Sequence, residues 1–367
     1  MILIFSSARH QQNFPSRHIQ MVSVSSRLVR GSFLLPLLVA GCSSSGGGGA
    51  KDGSCSSSAA SATLAGPCDL ADHVGQFSLA LEAASGSTPA YSQLAGSVHD
   101  KVDPSTVWTA AMTSGGCSVL TGPTYTCATK CVSPQICVAQ DTCGAAHTLQ
   151  SAGDVTLTGV GCARTEAFMP ASGYFDSLTG IAYPPVDPGT ALSISAAGGA
   201  AAAFTLHGEG IEPLAVPTGM LSLVSGQDLT VTWTAPLAAS MASIQIVIDA
   251  AHHGGTLARL ECDTLPDTGT ATIDGALVAA LISKGVAGFP TITITRRAVD
   301  STMIGAGCVD FSVSSSVTSA IMVCQAAGSC TVSCNCGGSS GSGACSGAAS
   351  DVPCAPGMTC QADLTCK

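Results

Sequence analysis

Nineteen cysteines in 367 residues constrain this chain more than any other feature. So many thiols would be hard to keep reduced and unreactive in a cytosol, so cysteine usage points to an oxidising compartment. The cysteines fall in clusters. Cys117, Cys127, Cys131, Cys137 and Cys143 crowd one segment, and Cys324, Cys330, Cys334, Cys336, Cys345, Cys354, Cys360 and Cys366 crowd another. The two segments share a repeat: CVSPQICVAQDTC (131–143) and CAPGMTCQADLTC (354–366) both read C-x5-C-x5-C, with a threonine before the last cysteine. Segments this poor in apolar residues bury little surface, so their order is expected from cross-links worth about 2–4 kcal/mol each. The spacings Cys127-x3-Cys131 and Cys330-x3-Cys334-x-Cys336 suit zinc, but no histidine stands nearby at finger-like spacing, and disulfides are the preferred reading.

The N-terminus gives the compartment. Arg27 and Arg30 precede a short apolar run, Phe33 to Gly41, that ends at Cys42. This is the layout of a secretory signal, and the run is far shorter than the ~20 residues that span a bilayer. Residues 1–20 mix apolar, polar and basic types, which suggests that translation starts at Met21. Leu38-Val39-Ala40-Gly41-Cys42 resembles a bacterial lipobox, and the resemblance implies cleavage before Cys42 and a lipid on its thiol. Ser43, not aspartate, follows, which by the same resemblance implies the outer membrane. With Cys42 lipidated, eighteen cysteines remain for disulfides: Cys55, Cys68, Cys117, Cys127, Cys131, Cys137, Cys143, Cys162, Cys262, Cys308, Cys324, Cys330, Cys334, Cys336, Cys345, Cys354, Cys360 and Cys366. Cys55 is expected to pair with Cys68 or to close a larger loop, and Cys262 with Cys308.

Only 10% of the residues are charged, which excludes a coiled coil or a charged disordered chain. Lys and Arg number 13 against 23 acidic residues, which argues against nucleic acid as a partner. Removal of residues 1–41 takes away Arg9, Arg17, Arg27 and Arg30 and no acid, so the formal charge moves from −10 to −14. The acids are scattered, as on a solvated surface.

The expected organisation is a signal peptide (1–41), a lipidated flexible tether (42–62), a small β module (63–122), a Cys-rich knot (123–153), a β-sandwich domain (154–323) and a C-terminal Cys-rich knot (324–367). The tether is rich in Ser and Gly and reaches about 25 Å on average. Alternation predicts strands at 76–81, 106–112, 154–160, 191–195, 229–233, 243–248 and 291–296. Thr opposite Ile or Val suits a sheet with one wet and one dry face. One helix is expected, capped by Asp274, striped by Leu277, Val278, Leu281 and Ile282, and ended at Gly285. The fold class is therefore mainly β: sandwich-like, with two disulfide-rich knots and a disordered N-terminal tether. Leu229-Thr230-Val231-Thr232-Trp233 and the Ile-rich strand after it resemble immunoglobulin-like and fibronectin-type sandwiches, which implies a core position for Trp233. The wider layout, from the lipobox through the tether and knot to Ala152-Gly153-Asp154-Val155-Thr156-Leu157-Thr158-Gly159, resembles cysteine-rich bacterial outer-membrane lipoproteins. That resemblance implies location and architecture, and no activity.

Several motifs invite a catalytic reading. Leu265-Pro266-Asp267-Thr268-Gly269 resembles a sortase signal but lacks the apolar segment and basic tail that follow one. Asp267-Thr268-Gly269 also resembles the aspartic-protease motif, yet no second Asp-Thr/Ser-Gly supplies the partner carboxylate. A turn is the better reading. Gly337-Gly338-Ser339-Ser340-Gly341 fits a nucleophile elbow in letters only, since it lies in a Ser/Gly tract between cysteines. Asp249, His252 and His253 have metal-binding spacing on a helix, but Gly254-Gly255 suggests a loop. Asp263, Asp267 and Asp274 match no calcium loop. Two Trp and four Tyr, dispersed, form no aromatic platform for sugars.

No catalytic, cofactor or metal set is expected. The expected function is a lipid-anchored outer-membrane protein acting as a surface binding, adhesion or structural module, with the membrane as one partner and a protein or glycan as another. The alternatives are a protease inhibitor using a knot loop such as 354–366, and a secreted hydrolase or metal-dependent enzyme built on Asp249, His252 and His253 or on Asp267.

Overall fold

The computed structural model describes residues 62–160, 164–166, 174–176, 181–217, 219, 221–250, 258–286, 290–326 and 329–331. The signal peptide, Cys42, the tether with Cys55, Cys162, and the second knot from 332 onward lie outside them, as do His252 and His253. Among the described residues no helix is long and apolar enough to cross a membrane.

The chain is mainly β. In order it forms β1 (His73–Glu82), β2 (Tyr91–Val98), β3 (Thr109–Ser114), β4 (Cys117–Thr121), β5 (Gln135–Ala139), β6 (Thr142–Ala145), β7 (Val155–Thr158), β8 (Arg164–Glu166), β9 (Tyr174–Asp176), β10 (Ala191–Ala196) and β11 (Phe204–Glu209). There follow β12 (Leu221–Val224), β13 (Leu229–Thr232), β14 (Ser243–Asp249), β15 (Ala258–Pro266), β16 (Thr270–Ile273), α1 (Gly275–Ser283), β17 (Thr291–Ile304), β18 (Gly307–Ala326) and β19 (Ser329–Thr331).

One large sheet runs β3-β4-β15-β14-β17-β18-β1-β2-β9, with β12 and β19 added along the far part of β18. Alternation makes one of its faces apolar, and two different layers cover that face. Over β1, β2 and the first half of β18 lies the four-stranded sheet β11-β10-β7-β8, burying Phe77, Leu79, Leu157, Ile194, Leu206 and Phe311. Over β4, β14 and β15 lie the β13–β16 ribbon and α1, burying Val231, Trp233, Ile246, Leu260, Leu277 and Leu281. β17 serves both cores: Ile294 belongs to one and Ala298 to the other.

Residues 63–122, expected as a module of their own, instead put β1 to β4 into the same sheet as strands of 154–323. β1 pairs parallel with β18 through His73↔Cys308 and Phe77↔Phe311, and β4 pairs with β15. The strand expected at 106–112 starts later, because Pro104–Thr106 forms a 3-10 turn capped by Asp103. The pairing also departs from the immunoglobulin plan, since β1 and β12 both run parallel to β18 in an eleven-stranded sheet. Trp233 is buried in the core as expected. So is the α1 stripe, and the Asp274 side chain accepts from the Ala276 N–H at 2.8 Å.

Four disulfides join described cysteines: Cys68–Cys308, Cys117–Cys262, Cys127–Cys137 and Cys131–Cys143. Cys324 is disulfide-bonded as well. The expected pairings of Cys262 with Cys308 and of Cys55 with Cys68 are overturned. Register decides the matter: Cys117 stands directly opposite Cys262, and Cys308 lies at the end of β18 beside the segment that carries Cys68. In the first knot the two loops overlap around the β5–β6 hairpin.

Candidate functional site

The other face of the large sheet is polar. Gln76 and Ser78 on β1, Gln245 on β14, Thr293, Thr295 and Arg297 on β17, and Asp310 through Thr318 at alternate positions of β18 share it, since these positions alternate with core residues. Hydroxyls meet across strands there: Thr293 with Thr318 at 2.9 Å, and Thr295 with Ser316 at 2.9 Å.

From Ala258 to Asp263 the alternation of β15 is strict. Ala258, Leu260 and Cys262 enter the core, which places Arg259, Glu261 and Asp263 on the polar face. Register sets Glu261 opposite Val247 and beside Ser118, and Arg297 opposite Ser243. The result is a groove of about 460 Å³, bounded by Pro67 to Leu70 and floored by Gln76, Gln245, Arg259, Glu261, Arg297 and Asp310.

Two ion pairs and a histidine–carboxylate contact line this groove. An Arg259 Nη sits 2.7 Å from Glu261, and Gln245 Nε2 donates to the other Glu261 oxygen at 2.6 Å. Arg297 bonds Asp263. His73 Nε2 lies 3.4 Å from Asp310. Burial pushes the Asp310 carboxyl above the ordinary carboxylate range, while the Cys68 N–H, His73 and Arg297 hold it back. The Arg259 guanidinium also lies 4.4 Å over the ring of Trp108, so its plane is fixed on two sides.

The wall of the groove is held from both ends. β14 stops pairing with β17 at Arg297, which leaves the further edge of β17 open. Residues 65–68 occupy it: Gly66 N–H donates to the Val299 carbonyl at 3.1 Å, and Ala65 N–H to Asp300 at 2.9 Å. The chain then turns onto the polar face, where Cys68 N–H donates to Asp310 at 2.8 Å and its sulfur bonds Cys308.

His73 also borders a second, smaller cleft of about 200 Å³ with His99, Lys101, Asp103 and His147. The His99 and His147 rings meet edge to face at 4.8 Å, and His147 Nδ1 lies 3.7 Å from Asp103. Burial and the neighbouring His147 hold His99 below its ordinary 6.5, against Asp100, Asp103 and a backbone hydrogen bond.

The sequence motifs fare as follows. Asp267 is buried and tied to Arg296 and Trp233, and it lines neither cleft. Asp249 ends β14 and also has an interaction partner. The zinc spacing Cys127-x3-Cys131 is consumed by two disulfides. Of the groove charges only Asp263 figured among the sequence candidates, although Ala258-Arg259-Leu260-Glu261-Cys262-Asp263 alternates apolar with charged residues throughout. Compared with known families and curated proteins, the chain matches no family model and no curated sequence.

Proposed function

We propose that this chain is a cysteine-rich, lipid-anchored envelope protein. It is held to the outer membrane through Cys42 and acts as a non-catalytic binding module through the polar groove of its large sheet. The observation that carries the binding reading is the groove itself. Eight polar or charged side chains from β1, β14, β15, β17 and β18 converge there, on the sheet face opposite the core. A groove on rigid strands, with a disulfide-pinned wall, holds its groups at fixed positions, which binding rewards. The lipobox supports the anchor, and the four disulfides support an oxidising compartment. Asp267 favours the non-catalytic reading, because both of its oxygens are already engaged.

Two measurements test this. Intact-mass spectrometry of membrane-extracted protein is expected to give a chain starting at Cys42 with a lipid adduct and no alkylatable thiol before reduction. A different start, or several free thiols, overturns the anchor. Separately, the C42S protein is expected to be retained on isolated cell envelopes, and R259A is expected to abolish retention. Equal retention of the two overturns the groove.

A second reading rests on the first knot. Val132 is 76% exposed beside Cys131, on a loop locked by two disulfides, which is a form suited to insertion into a protease cleft. Inhibition of a secreted protease that is lost in V132D would favour it.

A further inference from the structure

We infer that the ligand of the groove is an uncharged glycan chain; this rests on the groove being the binding site. Charge comes first. Arg259 and Arg297 face Asp69, Glu261, Asp263 and Asp310 in the lining, and each arginine already holds a carboxylate. Arg259 Nε, Arg297 Nε and His73 Nε2 keep no hydrogen-bond partner and remain as donors, but both arginines are already charge-paired and the acidic surplus of the lining disfavours an anionic ligand. Protein partners are the next candidate. Their hot spots are aromatic or aliphatic anchors in dry pockets. This lining offers only Pro67, Leu70 and Leu120 as sizeable apolar groups.

What the groove does present is hydrogen-bonding capacity of both senses in a fixed array. Gln76, Gln245 and Ser118 can donate or accept, and the carboxylates keep further lone pairs. Arg259 is clamped between Trp108 and Glu261, and Glu261 in turn takes Gln245. A sugar ring carries hydroxyls that each donate and accept, so it can enter such an array without disturbing the existing pairs. The groove's 460 Å³ falls within the usual range of small-ligand sites, about 300–1,000 Å³, and so suits a short stretch of chain.

The experiment titrates the C42S protein calorimetrically with three uncharged hexasaccharides: those of β-1,4-N-acetylglucosamine, β-1,4-glucose and α-1,4-glucose. Polygalacturonate serves as an anionic comparison. Saturable binding of at least one uncharged hexasaccharide is expected, with no binding of polygalacturonate. E261Q, which is nearly isosteric, and R259A are each expected to weaken binding at least tenfold without changing the far-UV spectrum. T293A, on the same sheet face outside the groove, is expected to leave affinity unchanged. Binding to none of the three, preference for polygalacturonate, or equal affinity in E261Q and R259A overturns the inference. If the sugars fail while R259A still abolishes envelope retention, the groove remains a binding site and the glycan assignment falls. If retention is also unaffected, both fall.

Discussion

Asp267 and Arg296 form a buried ion pair in which every guanidinium donor is used. Nε donates to Asp267 Oδ2 at 2.5 Å, and one Nη donates to the other Asp267 oxygen and to the Thr234 carbonyl. The second Nη reaches the carbonyls of Glu212 and Pro213. Trp233 Nε1 completes the carboxylate at 2.7 Å. Arg296 lies between Ile294 of one core and Ala298 of the other on the same face of β17, so the pair stands at the seam between the two covering layers.

Breaking this pair from one side strands a charge. R296M is expected to cost about 3–5 kcal/mol, because Asp267 and three carbonyls lose their partner in a dry site. The double change R296M/D267L is expected to recover part of that loss. Urea denaturation of the three variants against the parent checks both.

The two classes of disulfide are expected to differ in weight. Cys68 and Cys308 are 240 residues apart, whereas Cys127 and Cys137 are 10 apart. By loop-closure entropy the former contributes about 5 kcal/mol and the latter about 3. C68S/C308S is therefore expected to lower the global denaturation midpoint more than C127S/C137S. The same variant releases the wall of the groove, so amide exchange is expected to rise at residues 65–70.

Packing makes Gly96 intolerant. It faces Phe77 across the β1–β2 pair, and a Cβ there would collide with the fully buried ring. G96A is expected to destabilise by about 1–3 kcal/mol, readable as a lower Tm, with little change at the groove.

The histidine pair gives a pH dependence with a defined sign. His99 titrates below 6.5 in the folded chain, so there the folded state binds fewer protons than the unfolded state. Its stabilising contribution is complete above 6.5 and is lost as pH falls through the lowered value. NMR titration of the His99 ring is expected to show the depressed midpoint. H147Q removes one of the two depressing causes and is expected to move it upward, part of the way back.

Period-2 patterning made β1, β7, β10, β13, β14 and the start of β17 legible, because each alternates apolar with small polar residues. The helix was legible through its cap and stripe. β18 was not, since its serines at 312 and 314–316 put a polar residue, Ser315, into the apolar phase. The groove was half visible. Alternation alone puts Arg259, Glu261 and Asp263 on one face, but their meeting with Arg297, Asp310 and His73 depends on register between strands far apart in sequence. Periodicity fixes the face each side chain takes, but not which distant strands pair or by how many two-residue steps they are offset. Arg296 carried a signal that went unread: it occupies the isoleucine phase of Thr291-Ile292-Thr293-Ile294-Thr295-Arg296, where a charge demands a buried partner.

The position of β1 bears on the order in which this protein can assemble. β1 lies between β2 and β18, and its parallel partner is the first stretch of β18, from Cys308 to Ser314. A chain made from its N-terminus therefore carries half of its central pairing unmet until nearly all of it has emerged. Such long-range closure is slow and leaves strand edges exposed in the meantime. The Cys68–Cys308 bond spans the same gap, so it too can close only after the start of β18 has been made.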